Sequence, residues 1–230
     1  MTLPPVCILA GGLGSRLGAA VRDVPKPLVQ VAGRPFLAHV LALLRAHDAT
    51  RVVLCVGYLG ELIENRLGDG AEFGLELRYR HDPPGLAGTA GAVRAALDDL
   101  GERFLVLYGD TYLRIDYAAV AARAAGEDAL MCVLENAGRW DTSNAVYADG
   151  RVLRYDKRAP APDMRWIDYG LSVLTPGVLG DEADLSDVFT RLSREGRLAG
   201  YEATERFYEI GTPAALAETE RFLGEAKNEP

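Results

Sequence analysis

Glycines and two cationic side chains lie close together near the start of the chain. The apolar run 6–10 is typical of a strand buried on both faces, and residues 11–15, Gly-Gly-Leu-Gly-Ser, follow it directly. Glycine lets the backbone turn tightly, and successive free N–H groups bind an anion. Arg16 and Lys26 add positive charge suited to phosphate. The stretch therefore predicts a site for a phosphate-rich ligand.

Two common glycine-rich phosphate motifs do not fit this spacing. A dinucleotide fingerprint needs G-x-G-x-x-G, and Leu17 occupies the third glycine position after Gly12 and Gly14. A Walker A loop needs a lysine directly after its last glycine, whereas the first lysine here is Lys26. An ordinary glycine turn with solvated cations stays open as the plain alternative.

The first half of the chain alternates apolar runs with segments of helical spacing. This order predicts a mostly parallel sheet with helices on both faces. We expect one domain over residues 1–230, with a small lid-like extension over residues from about 135 to 205. Thr212 is a candidate N-cap for the last helix. The predicted strands are 6–10, 52–56, 75–79, 104–108, 129–134, 152–155 and 167–174, and the predicted helices are 35–47, 59–67, 88–100, 185–194 and 213–223.

Bulk composition limits the classes of partner. Of the 230 residues, 49% are hydrophobic and 25% are charged, which is ordinary for a globular protein, and the net charge of -8 argues against a nucleic-acid surface. No uncharged apolar run approaches ~18 residues, and no cationic leader is present, so we expect a cytoplasmic protein without a membrane partner. Cys7, Cys55 and Cys132 lack metal-ligand spacing and are predicted to be buried thiols.

Ligands of an open parallel sheet bind beyond the carboxyl ends of its strands. The segments 11–16, 57–58 and 109–111 each follow a predicted strand, so they should meet at one crevice. Asp110, after a glycine at a strand end, can hold Mg²⁺, which takes one or two carboxylates and completes its shell with phosphate and water. A cap for the following segment is the alternative role of Asp110.

A second glycine-rich stretch, residues 84–93, leads into the helix predicted over 88–100. Its small residues, Gly88 and Thr89 among them, would let a flat base lie against the backbone. Close packing of the helix on the sheet also favours small residues. The two interpretations are compatible.

Residues 9–17, Leu-Ala-Gly-Gly-Leu-Gly-Ser-Arg-Leu, and 25–28, Pro-Lys-Pro-Leu, resemble a two-part family signature. It is that of the sugar-1-phosphate nucleotidylyltransferases, L-A-G-G-x-G-[ST]-R-L followed by P-K-P-L. The resemblance implies an α/β, Rossmann-like, mostly parallel sheet with helices on both faces, of the nucleotide-diphospho-sugar transferase type. It also implies a nucleoside triphosphate and a sugar 1-phosphate as partners, Mg²⁺ as cofactor, and a homodimer as a common habit of compact members.

The resemblance also implies roles for single residues. The family's Gly-Asp motif makes Asp110 a metal ligand, and residues 207–213, Phe-Tyr-Glu-Ile-Gly-Thr-Pro, match a W-x-D-x-G-T-P segment with Glu209 at the second metal position. Glutamate is one methylene longer than the usual aspartate, so direct and water-mediated ligation both stay open. The implied nucleotide-binding residues are Leu9, Gly11, Gly12, Gly14, Ser15, Gly88 and Thr89, and the implied sugar-phosphate-binding residues are Asn144, Asp156, Lys157 and Asp168.

The predicted reaction moves a nucleotidyl group from the triphosphate to the sugar phosphate, with Arg16, Lys26 and Asp110 as the catalytic residues. No G-x-S-x-G elbow is present, and no protein nucleophile is needed, so catalysis reduces to positioning and charge neutralisation. In its compact length the chain resembles two kinds of family member, the heptose 1-phosphate guanylyltransferases and the muramate 1-phosphate uridylyltransferases. The leading prediction is a heptose 1-phosphate guanylyltransferase. The sequence is also compatible with a uridylyl- or thymidylyltransferase on a hexose 1-phosphate, a cytidylyltransferase on a non-sugar phosphate, and a non-catalytic nucleotide sensor.

Overall fold

The structure is a computed structural model that describes residues 2–12, 24–82 and 88–226. Its strands are β1 (Val6–Leu9), β2 (Gln30–Val31), β3 (Arg34–Pro35), β4 (Arg51–Val56), β5 (Glu76–His81), β6 (Phe104–Tyr108), β7 (Thr111–Leu113), β8 (Ala129–Glu135), β9 (Ala145–Ala148), β10 (Arg151–Tyr155), β11 (Trp166–Leu174), β12 (Leu198–Ala203) and β13 (Phe207–Glu209). Its α-helices are α1 (Phe36–Ala46), α2 (Gly60–Leu67), α3 (Gly88–Ala95), α4 (Leu97–Leu100), α5 (Tyr117–Arg123), α6 (Leu185–Arg194) and α7 (Pro213–Ala226).

The main sheet of the described residues has nine strands in the order β5-β4-β1-β6-β11-β8-β12-β10-β9. The first four run parallel to one another. Beyond them β11 is antiparallel to both β6 and β8, β12 is parallel to β8, and β10 is antiparallel to β12 and β9. The expected α/β fold is confirmed. The sheet is parallel from β5 to β6, where β1 leads into the N-terminal glycines, and mixed from β11 to β9.

Helices cover both faces of the sheet because successive side chains of its inner strands alternate between two cores. Val6 and Ile8 of β1 are buried with Phe36 of α1 on one face. Cys7, between them, is buried on the other face with Phe189 of α6. A strand that is apolar on both faces must be packed against other elements on both sides. This burial explains why the apolar run at 6–10 is unbroken.

Two predictions about the later elements need correction. The helix expected over 88–100 is split at Ala96. There, hydrogen bonds of the 3-10 type, from each amide to the carbonyl three residues earlier, replace the α-helical pattern (Ala96 N to Val93 O and Asp99 N to Ala96 O, both 3.0 Å). The segment expected as an extension contains β11 and β12, which are interior strands of the main sheet. An exposed lid would not suit β11, whose residues 169–174 are all buried.

Smaller features agree with the sequence. Cys7, Cys55 and Cys132 are buried free thiols, and Thr212 accepts a hydrogen bond from the Ala215 amide at 3.2 Å as the N-cap of α7. No helix in the described ranges has the length and apolar character needed to cross a membrane.

Candidate active site

Three loops meet at the carboxyl ends of β1, β4 and β5, as the topology predicts. A Cβ atom on Gly11 would lie 2.9 Å from Asp82 Oδ2 and 3.1 Å from Gly57 N, so the glycine is needed for this close approach. Among the residues that the structure describes, none has an atom within 4 Å of the Cβ position of Gly12. Gly11 thus serves a close contact between loops. Three further predicted residues lie outside the described ranges: Gly14, Ser15 and Arg16.

The Pro-Lys-Pro-Leu segment brings Lys26 to Asp110. Lys26–Leu28 is a short 3-10 turn in which Pro27 and Leu28 are buried, and their burial anchors the lysine backbone. Lys26 Nζ lies 2.5 Å from Asp110 Oδ2. Two residues that the sequence analysis selected independently are therefore in direct contact.

Glu209 is placed beside Asp110 by the small ladder between β7 and β13. Glu209 pairs with Thr111, the residue after Asp110, and the Ile210 amide donates to Asp110 O at 3.1 Å. Burial raises the pKa of Glu209, and the charge of Asp110 adds to this rise, while the Gly211 amide, which donates to Glu209 Oε2 at 2.7 Å, opposes it. The two predicted metal ligands are thus neighbours.

Gly211 shows how tightly these groups are packed. A Cβ atom on Gly211 would lie 2.3 Å from Glu209 Oε2 and 3.3 Å from Lys26 Nζ. Lys26, Asp110 and Glu209 therefore form one group, which we name the charge cluster. It joins two carboxylates and one ammonium group at the carboxyl end of β6.

A cavity of about 480 Å³ adjoins the charge cluster. It runs along the carboxyl ends of the parallel strands, from Lys26 and Asp110 to Asp82. Much of its wall is glycine or alanine, which leaves backbone within reach of a ligand. The residues that line it are Leu9, Ala10, Gly11, Gly12, Lys26, Pro27, Cys55, Asp82, Gly88, Thr89, Ala92, Tyr108, Gly109, Asp110, Ala183 and Asp184.

The start of α3 is bonded to the turn that precedes α6. Gly88 has φ +67°, and a Cβ atom there would lie 2.3 Å from Ala183 O, which accepts from two α3 amides at 2.8 and 3.2 Å. Asp184 Oδ1 accepts from the Thr89 amide at 3.2 Å, and Thr89 Oγ1 accepts from the Leu185 amide at 2.8 Å. These contacts give Gly88 and Thr89 a packing role against the turn before α6, which is not the packing on the sheet that the sequence suggested. Contact with a base stays a prediction for both residues, which line the cavity.

Three of the predicted sugar-phosphate residues lie together. Asn144 Oδ1 accepts from the Asp168 amide at 3.0 Å, and Asp168 Oδ1 accepts from the Gly170 amide at 2.9 Å. Burial raises the pKa of Asp168, whereas the positive charge of Lys157 and a hydrogen bond from the Tyr155 hydroxyl act to lower it. Asn144 O also accepts from the amide of Asp156, the residue before Lys157, at 3.0 Å. Asn144, Asp168 and the backbone next to Lys157 are thus close together between β9, β10 and β11.

The fourth predicted residue of this group, Asp156, has a local role in the structure. Its Oδ1 accepts from the backbone amides of Arg158 at 2.9 Å and Ala159 at 2.8 Å. This is the geometry of a side chain that closes a turn. A local turn therefore accounts for the contacts of Asp156, and Lys157 beside it is exposed.

Tyr108, the last residue of β6, connects the charge cluster with the Asp168 group. Burial raises its pKa, and the negative charges of Asp168, Asp110 and Asp184 add to the rise in that order. Tyr108 lines the cavity, and a Cβ atom on Gly170, two residues after Asp168, would lie 3.6 Å from Tyr108 Cδ2. The Asp168 group therefore lies behind the wall of the cavity at Tyr108.

Sequence reasoning missed three residues of this site: Asp82, Tyr108 and Asp184. The rule that selected Asp110, a polar residue at the carboxyl end of a strand, also applies to Tyr108 and Asp82 and could have found both. Asp184 precedes α6 and joins the site through a contact with Thr89, 95 residues away. The local sequence carries no signal for a contact at that separation.

The family model for the MobA-like NTP transferase domain matches residues 6–217. The chain therefore belongs to the MobA-like NTP transferase family and is a nucleotidyltransferase. Membership confirms the resemblance drawn from the two-part signature.

Named relatives of this chain act on sugar phosphates. It is 30% identical over 236 residues to N-acetylmuramate alpha-1-phosphate uridylyltransferase of Caulobacter vibrioides, covering 95% of this chain and 96% of that one. It is 29% identical over 179 residues to D-glycero-alpha-D-manno-heptose 1-phosphate guanylyltransferase of Campylobacter jejuni, covering 76% of this chain and 78% of that one. The relatives therefore include both a uridylyl- and a guanylyltransferase.

Solved structures share the fold. HddC from Yersinia pseudotuberculosis, complexed with GMP-PN, superposes with a TM-score of 0.81 at 23% identity, over 96% of this chain and 100% of that one. A putative glucose-1-phosphate thymidylyltransferase from Bacillus anthracis, in complex with a sucrose, gives 0.84 at 21% identity, over 96% and 95% of the two chains. Both likenesses agree with the α/β architecture described above.

Proposed function

We propose that this chain transfers a nucleoside monophosphate from a nucleoside triphosphate to a sugar 1-phosphate and releases pyrophosphate. The observation that carries the proposal is the contact of Lys26 with Asp110, next to Glu209, beside a cavity walled by glycine backbone. Such a site can neutralise phosphate charge at one end and accept a flat group at the other. Family membership supports this class of reaction.

The chemistry needs no nucleophile from the protein because the phosphate of the acceptor is already ionised. One of its oxygens forms a bond to the α-phosphorus, and the bond from that phosphorus to the β-phosphate oxygen breaks, so that the electron pair leaves with pyrophosphate. The protein supplies position and countercharge. In this proposal Lys26 neutralises charge between the two substrates. The triphosphate contacts fall to Arg16 and the backbone of Gly11, Gly12, Gly14 and Ser15.

Asp110 and Glu209 fit a magnesium ion. Both are carboxylates, Glu209 Oε1 has no hydrogen bond to any residue the structure describes, and desolvation by burial disfavours the ionised glutamate until a cation arrives. In the described ranges no three His, Cys, Asp or Glu side chains are grouped to hold a metal, which suits an ion that takes its remaining ligands from phosphate and water. When bound there, Mg²⁺ neutralises charge on the phosphates of both substrates.

The acceptor is assigned to the group around Asp168. We propose that Asn144 and Asp168 bind sugar hydroxyls and that the exposed Lys157 holds the sugar phosphate. Asp156 contributes by fixing the turn that presents Lys157. All four residues lie between positions 135 and 205.

For the substrate pair we propose GTP and a heptose 1-phosphate. The relatives include a heptose 1-phosphate guanylyltransferase, but a muramate 1-phosphate uridylyltransferase matches over more of this chain. UTP or dTTP with a hexose or muramate 1-phosphate is therefore the second candidate. A homodimer and a cytoplasmic location stay predictions from the sequence.

A substrate screen tests the proposal. The full chain is incubated with Mg²⁺, each of GTP, UTP, dTTP, CTP and ATP, and a panel of heptose, hexose and muramate 1-phosphates, and pyrophosphate is measured. We expect release that requires both substrates and Mg²⁺. Pyrophosphate release from CTP only when choline phosphate or a polyol phosphate is the acceptor would instead support a cytidylyltransferase for non-sugar phosphates. Nucleotide binding without any pyrophosphate release would support a sensor.

A further inference from the structure

Thr219 connects helix α7 to the charge cluster. Its side chain is buried, and its hydroxyl donates a hydrogen bond of 2.7 Å to the backbone carbonyl of Glu209, ten positions earlier. A threonine hydroxyl inside a helix commonly bonds instead to a carbonyl of the preceding turn of the same helix. Thr190 of α6 shows that ordinary pattern, because its hydroxyl donates to Ser186 O at 2.8 Å. The bond of Thr219 therefore leaves its own helix to reach the candidate site.

The carbonyl that Thr219 contacts belongs to a peptide unit held from both sides. The amide of the same unit, that of Ile210, donates to Asp110 O at 3.1 Å. The C=O and N–H of a trans peptide point in opposite directions. The peptide unit between Glu209 and Ile210 is thus fixed between Asp110 on one side and Thr219 on the other.

This peptide unit determines where the Glu209 carboxylate lies. The next amide along the chain, that of Gly211, donates to Glu209 Oε2 at 2.7 Å, so the side chain folds back over the peptide unit. Rotation of the unit would move the Gly211 amide relative to the carboxylate. The Thr219 hydroxyl therefore restrains a carboxylate that it does not touch.

A glutamate needs such a restraint more than an aspartate does. Its side chain has one more rotatable bond and therefore more conformational freedom to lose when its carboxylate is held in one place. Released from the fold-back, the Glu209 carboxylate could turn away from Asp110 and Lys26. A displacement of ~1 Å in a reacting site can cost about 100-fold in rate.

Helix α7 also holds the part of the chain that follows Lys26. Glu220, next to Thr219, accepts a hydrogen bond at Oε2 from the Ala32 amide at 2.8 Å. Ala32 lies in the turn between β2 and β3. Two neighbouring residues of one helix therefore contact the segments that carry Glu209 and Lys26.

We propose that Thr219 is a positioning residue for the Glu209 carboxylate, an inference that rests on the nucleotidyl transfer proposed above. Its hydroxyl fixes the peptide unit after Glu209, and the Gly211 amide then fixes the carboxylate beside Asp110. Thr219 touches neither substrate in this account. Its contribution is to keep the charge cluster assembled before the substrates bind.

Two variants and two measurements test this role. Thr219→Val removes the hydroxyl at nearly constant shape, whereas Thr219→Ser keeps it. The first measurement is the exchange of the Gly211 amide proton with solvent, followed by NMR on the full chain without magnesium or substrates. The second is initial-rate pyrophosphate release with the substrates and Mg²⁺.

In Thr219→Val we expect the Gly211 amide to exchange about tenfold faster than in the wild type, the effect of losing one hydrogen bond. We expect kcat to fall by about 10- to 100-fold, the usual cost of removing a group that orients a ligating side chain. KM for either substrate should change less than about threefold, because the contacts with the substrates are retained. Thr219→Ser should stay within about threefold of the wild type in all these quantities.

Thr190→Val is the matched control. It removes a threonine hydroxyl bonded to a backbone carbonyl, and Thr190 is not among the described residues that line the cavity. It should keep the wild-type kcat and the wild-type exchange of the Gly211 amide. The Leu216 amide, which donates to Thr212 O at 2.9 Å at the start of α7, is the internal reference for general loosening of the fold. Should Thr219→Val fail to fold by circular dichroism, Thr219→Ala replaces it with the same expectations.

A wild-type kcat in Thr219→Val would overturn the inference. So would a rise in Gly211 exchange no larger than the rise at Leu216, or a loss of activity in Thr219→Ser equal to that in Thr219→Val. Failure of the proposed function has a different signature: the wild type itself releases no pyrophosphate with any sugar 1-phosphate, whatever the exchange of the Gly211 amide. Amide exchange and turnover thus separate the two failures.

Discussion

Replacing Lys26 by methionine removes one positive charge from the charge cluster and changes little else. Methionine is similar in length to lysine and apolar, so the stem of the side chain keeps its packing. The buried neighbours Pro27 and Leu28 still anchor the turn. The variant therefore separates the charge of Lys26 from its structural role.

The size of the effect follows from the surroundings of the ammonium group. The Lys26 side chain is only 15% exposed and lies 2.5 Å from Asp110, so water can replace its charge only in part. No other ion pair to Asp110 or Glu209 is formed within the described ranges. We therefore expect kcat to fall by about 10²–10³, the usual loss for one preorganised donor at a reacting phosphate or oxyanion, equal to about 2.7–4 kcal/mol.

The assay is initial-rate pyrophosphate release at saturating triphosphate, sugar 1-phosphate and Mg²⁺. We expect the loss in kcat rather than in nucleotide affinity, since the charge acts between the substrates in the transition state. Arg66→Gln is the control, because it removes an equal charge from an exposed pair with Glu72 at 3.7 Å. A Lys26→Met enzyme that folds and keeps kcat within about threefold of the wild type would refute this reasoning.

Asp168→Asn should raise KM for the sugar 1-phosphate about tenfold, the cost of one hydrogen bond to a charged group, and leave KM for the nucleotide unchanged; equal changes in both would contradict the assignment. Gly88→Ala should lower the free energy of unfolding in urea by more than Gly126→Ala. Both positions have positive φ, which costs an L-residue roughly 1–2 kcal/mol. At Gly88 the Cβ atom would lie 2.3 Å from Ala183 O, whereas at Gly126 no atom of a described residue lies within 4 Å of it. Equal losses of unfolding free energy would show that the contact with Ala183 adds no strain. Asp82→Asn should melt at a higher temperature than the wild type at pH 8. The raised pKa means that the ionised carboxylate disfavours the fold above that pKa, so the difference should shrink as the pH falls and Asp82 is protonated; a constant difference in melting temperature would exclude this cause.

The strands and helices that the sequence predicts well are those with unbroken or strictly periodic apolar patterns. β6 and α6 have the predicted bounds, because each buries a continuous set of side chains. β7 and β13 were not predicted, since each has three residues and they pair with each other across almost a hundred positions. Short ladders of this kind depend on the rest of the fold to bring them together.

The site divides in the same way. Lys26 and Asp110 were selected from charge and position, and the structure brings the two side chains into direct contact. The position of Glu209 came from a resemblance alone, and the ladder to Thr111 supplies its physical reason. The partners of Asp156 and Thr89 are backbone groups, which no side-chain motif records.

Direct transfer between two bound substrates is the central claim, and isotope exchange tests it. Labelled pyrophosphate is incubated with the enzyme, Mg²⁺ and the preferred triphosphate, with and without the sugar 1-phosphate, and the label in the triphosphate is counted. Without a covalent nucleotidyl enzyme, label should enter the triphosphate only when the sugar 1-phosphate is present. Exchange at the same rate in its absence would contradict the account, because it requires a group on the protein that accepts the nucleotidyl unit.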